Sequence, residues 1–336
     1  VASDLITGPL RRNFQLDFGD SGIGFVSLAS PLYQTPAVTR SVTNGWTTTG
    51  LRRSSIGQLC ACGLAGLGLT ANQPGERAWL TAHCLTFDIY LLAQPGGGAV
   101  DIMVDGDSYE TDVSLDSDKL QATYLPVDCT DDSLHSLEIR VASAGWVTVL
   151  GIVTERDGPG VVYDSLGVNG ARATNLLAWD PRVLESNLER RGPDLIIIAY
   201  GSNEVTETDL DLRKYRTEFL DVLLRFRRAA PRASLLVVSP PDRAVLARGR
   251  WVTAPAMRGL VAAQRLAAFE AGAAFWNLFE AMGGEGSIER WATSPDRFAQ
   301  PDRVHLTRAG YRAVADALYN QLRREYGASQ NGGPVR

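Results

Sequence analysis

The sequence has no run of 18 or more apolar residues, so no segment is long enough to cross a bilayer as a helix. It also has no basic stripe with interleaved aromatics. Its 33 Lys and Arg are outweighed by 38 Asp and Glu, for a net charge of -5, and nucleic acid is excluded as an expected partner. Cysteine is scarce, and Cys60, Cys62, Cys84 and Cys129 all lie in the first half of the chain. An even number confined to one region allows up to two disulfides, of pairing left open, and points to an exported protein, with four buried thiols as the alternative. A zinc site from Cys60, Cys62, His83 and Cys84 is disfavoured because those spacings match no common zinc pattern. The first helix is preceded by neither an initiator Met nor a leader pattern, as expected of a processed chain, a trimmed one or a fragment. What is present is an ordinary globular composition, 45% hydrophobic and 21% charged, in 336 residues, enough for two domains with a core each.

The C-terminal half reads as alternating strands and helices. "PDLIIIAYGSN" is a short apolar run, Leu195 to Ala199, ending in a Gly-Ser-Asn turn, as expected of a strand buried on both faces. "YRTEFLDVLLRF" then puts Tyr215, Phe219, Val222, Leu223 and Phe226 on one helical face, and Pro231 stops it. "ASLLVVSPP", "MRGLVAAQRLAAFEAG" and "AAFWNLF" continue the series, and a last helix is predicted from about Arg308 to Tyr326. Such alternation means a parallel sheet with helices on both faces, whose ligands bind beyond the carboxyl ends of the strands, where "YGSN" and the loop around Asp242 emerge. Residues 41–157 follow another rule. "GAVDIMVDGDSYETDVSL" and "HSLEIRVASAGWVTVLGIVTE" alternate apolar and polar residues around turns, which predicts an antiparallel β-sandwich. Leu5, Ile6, Leu10 and Phe14 recur at helical spacing, so residues 1–40 and 158–328 are assigned to one α/β domain interrupted by a β domain. Residues 329–336 form a polar tail with no core pattern.

"DRVHLTRAGY" puts Asp302 three residues before His305, a spacing that lets a carboxylate hold Nδ1 of the imidazole and leave Nε2 to take a proton. Alone, the pair is equally a hydrogen-bonded helix entry. "YGSNE" ends a buried strand with Gly201 and Asn203, and an asparagine amide there can donate to a developing oxyanion. "YDSLGVNGARATNLL" is a glycine-rich loop before a helical pattern, so the backbone N–H of Gly170 offers a second donor. Each loop by itself is also simply a turn.

The ordered set, Gly167-x-x-Gly170-Ala171, then Gly201-x-Asn203-Glu204, then Asp302-x-x-His305-Leu306-Thr307, resembles the SGNH, or GDSL-type, esterases. More particularly, "GVVYDSLGVNGA" after a β insertion resembles the bacterial peptidoglycan O-acetylesterase branch. The resemblance covers the C-terminal half. It implies a flavodoxin-like three-layer α/β/α hydrolase domain with a carbohydrate-binding-module-like sandwich inserted. It makes Gly170 and Asn203 oxyanion donors, Asp302 the orienting carboxylate and His305 the general base. It further implies acyl-enzyme hydrolysis of O-acetyl groups on a polysaccharide, peptidoglycan foremost, in the periplasm or outside the cell, with no metal or organic cofactor. A non-catalytic polysaccharide binder and an O-acetyltransferase are the alternatives. Trp46, Trp79 and Trp146 are available to stack on sugar rings, or equally to fill the core.

Two Gly-Asp-Ser triplets compete for the nucleophile. In the family it ends the first buried strand and precedes a helix, which presents Oγ to the base. Ser21 in "FGDSGIGF" instead follows a helical stretch and is followed by Gly22 and Gly24. Ser108 in "VDGDSYE" follows Asp105-Gly106, a hairpin dipeptide. The opening "VASDLITGPLRRNFQLDFGDSGIGFV" resembles the helix and loop that come after the family's nucleophile motif. The expected nucleophile therefore lies upstream of Val1, with Ser21 as the alternative.

Overall fold

The fold is taken from a computed structural model, which describes residues 4–29, 35–51, 59–167, 169–207 and 209–330. The first helix, α1 (Thr7–Phe18), stops at Gly19, whose φ of +98° suits glycine. A Cβ there would stand 2.4 Å from the carbonyl oxygen of Pro159, so the same glycine lets two loops touch.

Nine strands follow: β1 (Gly24–Val26), β2 (Val38–Val42), β3 (Thr47–Gly50), β4 (Leu67–Ala71), β5 (Arg77–Ala93), β6 (Ala99–Val104), β7 (Asp107–Ser114), β8 (Gln121–Val141) and β9 (Val147–Glu155). Antiparallel hydrogen bonds join them in one sheet, ordered β3-β4-β9-β5-β8-β6-β7, with β1 on β9 and β2 on β5. Its bonding thus reaches outside residues 41–157, back to Gly24. β5 and β8 are 17 and 21 residues long and carry the architecture. In the first half of β5, Ala78, Leu80, Ala82 and Cys84 are buried in strict alternation. From Ile89 to Ala93 every residue is buried, because this half is covered on both sides: Ile89 and Leu91 face one core, Tyr90 and Leu92 another shared with the α/β region.

The chain then runs through a 3-10 turn (Ala173–Ala178), α2 (Pro181–Arg191), β10 (Leu195–Ala199), α3 (Leu212–Ala229), β11 (Ser234–Val238), β12 (Ala244–Ala247), β13 (Arg250–Thr253), α4 (Met257–Glu270), β14 (Ala274–Trp276), α5 (Leu278–Ala281), α6 (Ser287–Thr293) and α7 (Arg308–Gln330). Local chemistry sets these limits. Asp180 and Asp211 accept N–H bonds at the starts of α2 and α3, and Gly192 ends α2 at φ +57°. β10, β11 and β14 pair in parallel in that order. Leu235 and Val237 face the core built with α3 and α4, while Leu236 and Val238 face the core built with α1 and α7. These are the three layers that place loops at the carboxyl ends of β10 and β11. β10 pairs with β11 alone among the described residues, and Leu195, 40% exposed, stands on this strand with an open flank. α7 continues past the expected end at Tyr326, whose ring packs edge-on against Phe18 beside the Arg323–Asp17 ion pair. Of the expected tail, 331–336 lie outside the described residues.

Side chains fasten the two regions as well. Trp179 donates to the Cys62 carbonyl at 2.9 Å, and Arg190 forms a two-pronged pair with Asp88 at 2.7 and 2.9 Å. Cys60 and Cys62 are disulfide-bonded, Cys84 and Cys129 are thiols, and no cluster fit for a metal occurs among the described residues. Arg191 is the least exposed of these cations. It bonds Asp164 at 2.7 and 3.0 Å and Glu155 at 2.9 Å, and Asp164 also accepts the Phe25 N–H at 2.9 Å. Asp164→Ala is expected to destabilise the fold by roughly 3 kcal/mol, since it strips a part-buried cation of its closest partner. Glu270→Ala, at the exposed Arg216 pair, is expected to cost under about 1 kcal/mol. Urea unfolding of the two variants measures the contrast, and equal costs contradict it.

Candidate active site

The loop before α7 is organised by Asp302. Its Oδ1 accepts the N–H groups of Val304 and His305 at 2.9 and 3.0 Å, and its Oδ2 lies 2.7 Å from His305 Nδ1. Burial opposes the charge on Asp302, but these bonds from His305 and Val304 prevail and hold its carboxyl below the ordinary range. A carboxylate on Nδ1 fixes the ring with Nε2 as the proton acceptor. The imidazole is half exposed, and Nε2 makes no hydrogen bond among the described residues. Arg303, between the two, sits at φ +53°, a conformation that costs about 1 kcal/mol or more for a non-glycine residue and turns the loop so that the pair can close.

The two oxyanion candidates meet. Asn203 Nδ2 donates to the carbonyl of Ala171, the residue after Gly170, at 2.8 Å. One amide hydrogen is thereby spent on orientation, and a second is left to donate. Gly170 adopts φ +70°. Gly201 adopts φ +119°, and a Cβ there would stand 2.9 Å from Leu260 and Pro240 and 3.0 Å from Gln264, so the turn that aims Asn203 requires glycine.

Two residues without a role in the sequence reading hold these parts together. Glu204 is 3% exposed and accepts the Ala173 N–H at 2.8 Å, which ties the Asn203 turn to the Gly170 loop. Arg243 donates from Nη1 to the Ser202 carbonyl at 2.7 Å, while the next residue, Ala244, donates its N–H to the Arg303 carbonyl at 3.0 Å. Residues 243 and 244 thus bridge the Asn203 turn and the Asp302–His305 loop. Asp242, in the loop expected to meet ligand, is fully buried instead. It accepts from Thr253 Oγ1 at 2.9 Å and the Ile288 N–H at 3.0 Å, anchoring α6.

Neither Gly-Asp-Ser triplet joins this constellation. Ser21 is 8% exposed and its hydroxyl donates to the Gly158 carbonyl at 2.9 Å. Ser108 lies on β7 beyond the Asp105-Gly106 turn, whose φ values of +53° and +92° are those of a tight hairpin. No serine hydroxyl is hydrogen-bonded to His305 among the described residues. The three tryptophans separate cleanly. Trp46 is core, Trp79 donates to Glu138 at 2.8 Å, and Trp146 is 49% exposed.

The GDSL-like lipase/acylhydrolase family matches residues 130–313, more than half of the sequence, and the chain belongs to that family. The matched stretch contains Gly170, Asn203, Asp302 and His305 and neither Ser21 nor Ser108. The chain is accordingly a carboxylic ester hydrolase. A solved structure of a peptidoglycan O-acetylesterase is similar at 25% identity and a TM-score of 0.79, with 96% of this chain and 87% of that one covered. A family two carbohydrate esterase from Clostridium thermocellum, solved with cellohexaose, aligns at 13% identity over 77% of this chain and 95% of its own. Another from Cellvibrio japonicus aligns at 14% over 86% and 98%. Their TM-scores, 0.37 and 0.34, are too low to carry an argument. No curated protein matches.

Burial of Glu204, only partly offset by the N–H groups it accepts, raises its pKa above the ordinary 4.5. The folded state therefore holds the proton more tightly than the unfolded one. Stability from this group is complete below the unfolded value and is lost as pH rises through the folded one. Melting temperatures from pH 4 to 7 are expected to fall for the parent relative to Glu204→Gln, so the gap between them changes with pH. A constant gap contradicts the assignment.

Proposed function

We propose that this is a serine esterase that removes O-acetyl groups from a polysaccharide, peptidoglycan foremost, through an acyl-enzyme. The observation that carries the reading is the hydrogen-bonded bridge from the Asp302–His305 pair, through Ala244 and Arg243, to the Asn203 turn and the Gly170 loop. Serine Oγ attacks the acetyl carbon as its proton passes to His305 Nε2, and Asn203 and the Gly170 N–H receive the charge on the carbonyl oxygen. The sugar oxygen leaves with that proton. Water, deprotonated by the same nitrogen, then releases acetate and restores the serine. The nucleophile is contributed by a strand upstream of Val1 that pairs along the open flank of β10. Two things support this: β10 has no partner on its outer side among the described residues, and the Ser21 hydroxyl is engaged with the Gly158 carbonyl.

The relative with a TM-score of 0.79 supports the glycan substrate, and with it an expected site of action in the periplasm or outside the cell. We assign 158–328 with the N-terminal helix to the hydrolase and 41–157 to a sandwich-type carbohydrate module, its half-exposed Trp146 available to a sugar, while β1 and β2 of the expected hydrolase stretch 1–40 bond into the module's sheet. A non-catalytic binder is favoured by one observation, the want of a serine on His305 within the described residues. In the protein extended upstream of Val1, His305→Ala is expected to lower kcat/KM for acetate release by roughly a thousandfold or more, with an unchanged melting temperature. Activity within a few-fold of the parent removes His305 from the mechanism, and an extended parent that binds glycan but releases no acetate selects the binder.

A further inference from the structure

The hairpin of β12 and β13 projects from the loop that bridges the two halves of the site, and the roles given so far do not use it. Its base is pinned: Ala244 donates to the Arg303 carbonyl, Ala254 N–H donates to the Arg243 carbonyl at 2.8 Å, and Thr253 Oγ1 bonds Asp242. Its outer half is bare. Leu246 and Trp251 are cross-strand partners, so their side chains share a face, and they are 63% and 36% exposed. The Arg303 guanidinium lies 5.1 Å from the centre of the Trp251 ring and is held there by Glu289 at 2.7 Å. Trp251 is thereby braced from one side by the residue that follows Asp302, and its exposed remainder lies beside the acid–base loop.

The tip carries charge. Arg248 and Gly249 form the turn at φ +49° and +76°, and Arg248 and Arg250 are exposed and make no ion pair among the described residues. Arg248 takes a left-handed φ that Asn or Gly would adopt more readily, and it sets a guanidinium at the apex. An exposed aromatic ring on one face of the hairpin, with a guanidinium at its apex and another on the opposite face, matches a glycan strand that passes over the tip and bears carboxylates, which Arg binds in two-pronged fashion.

We propose that this hairpin is the subsite for an anionic glycan strand, with Trp251 stacked on a sugar ring and Arg248 and Arg250 holding carboxylates of the same strand. The proposal rests on the polysaccharide-esterase reading and names the charge class of its substrate. The test is co-sedimentation of the full chain with insoluble peptidoglycan, which carries carboxylates, and with insoluble neutral acetylated xylan, beside acetate release by the parent extended upstream of Val1. Trp251→Ala is expected to weaken binding to peptidoglycan about tenfold and Trp251→Phe by no more than a few-fold, both at parental melting temperature. The double change Arg248→Gln, Arg250→Gln is expected to weaken peptidoglycan binding about tenfold, to flatten its salt dependence, and to leave xylan binding as it was. Parental binding by Trp251→Ala overturns the proposal, as does an equal loss on both glycans from the arginine variant. Acetate release from peptidoglycan with no dependence of binding on Trp251 sinks this proposal alone. Trp251-dependent binding with no acetate release sinks the esterase reading alone.

Discussion

Arg243 and Ala244 fix the distance between the two halves of the site. One guanidinium nitrogen holds the Ser202 carbonyl and the adjoining N–H holds the Arg303 carbonyl, so the Asn203 turn and the Asp302–His305 loop hang on consecutive residues. Both halves need this support. Asn203 and Gly170 sit on turns with φ values suited to glycine, and His305 is half exposed on a loop with a left-handed Arg303. Burial lowers the proton affinity of Arg243, with the charge of Asp302 acting the other way, so the bridge also interacts electrostatically with the carboxylate that holds His305.

The three layers were legible wherever one core covers one face. The helix residues Tyr215, Phe219, Val222, Leu223 and Phe226 are all buried as their spacing requires, and "LIIIA" forms β10. The first half of β8 was not legible. Pro126 and the run Asp128 to Asp132 break the strand pattern locally; pairing with β5 carries the strand from Gln121 through Pro126 to Asp128, and the register shifts between Cys84 and Thr86 before pairing resumes at Ser133. Val38 to Val42, mostly polar and exposed, likewise becomes β2 through its pairing with β5.

The site divides in the same way. Asp302 and His305 are three residues apart and were readable as a pair. Glu204 acts on a residue 31 positions away and Arg243 on one 41 away, and no local pattern records contacts of that span. The two Gly-Asp-Ser triplets show the converse error, in which letters match and surroundings do not. In one the serine hydroxyl is turned to a carbonyl, and in the other it lies on an exposed strand of a hairpin. What a nucleophile needs is a strand end facing His305 Nε2, and β10 is one of the two edge strands of the described parallel sheet along which such a strand could pair.

The most direct measurement is reaction of the protein extended upstream of Val1 with a fluorophosphonate, followed by mass mapping of the labelled peptide, beside residues 1–336 treated alike. The account predicts a single label on an upstream serine and none on Ser21 or Ser108. A label on Ser21 in either form, or an extended protein that takes no label, contradicts it.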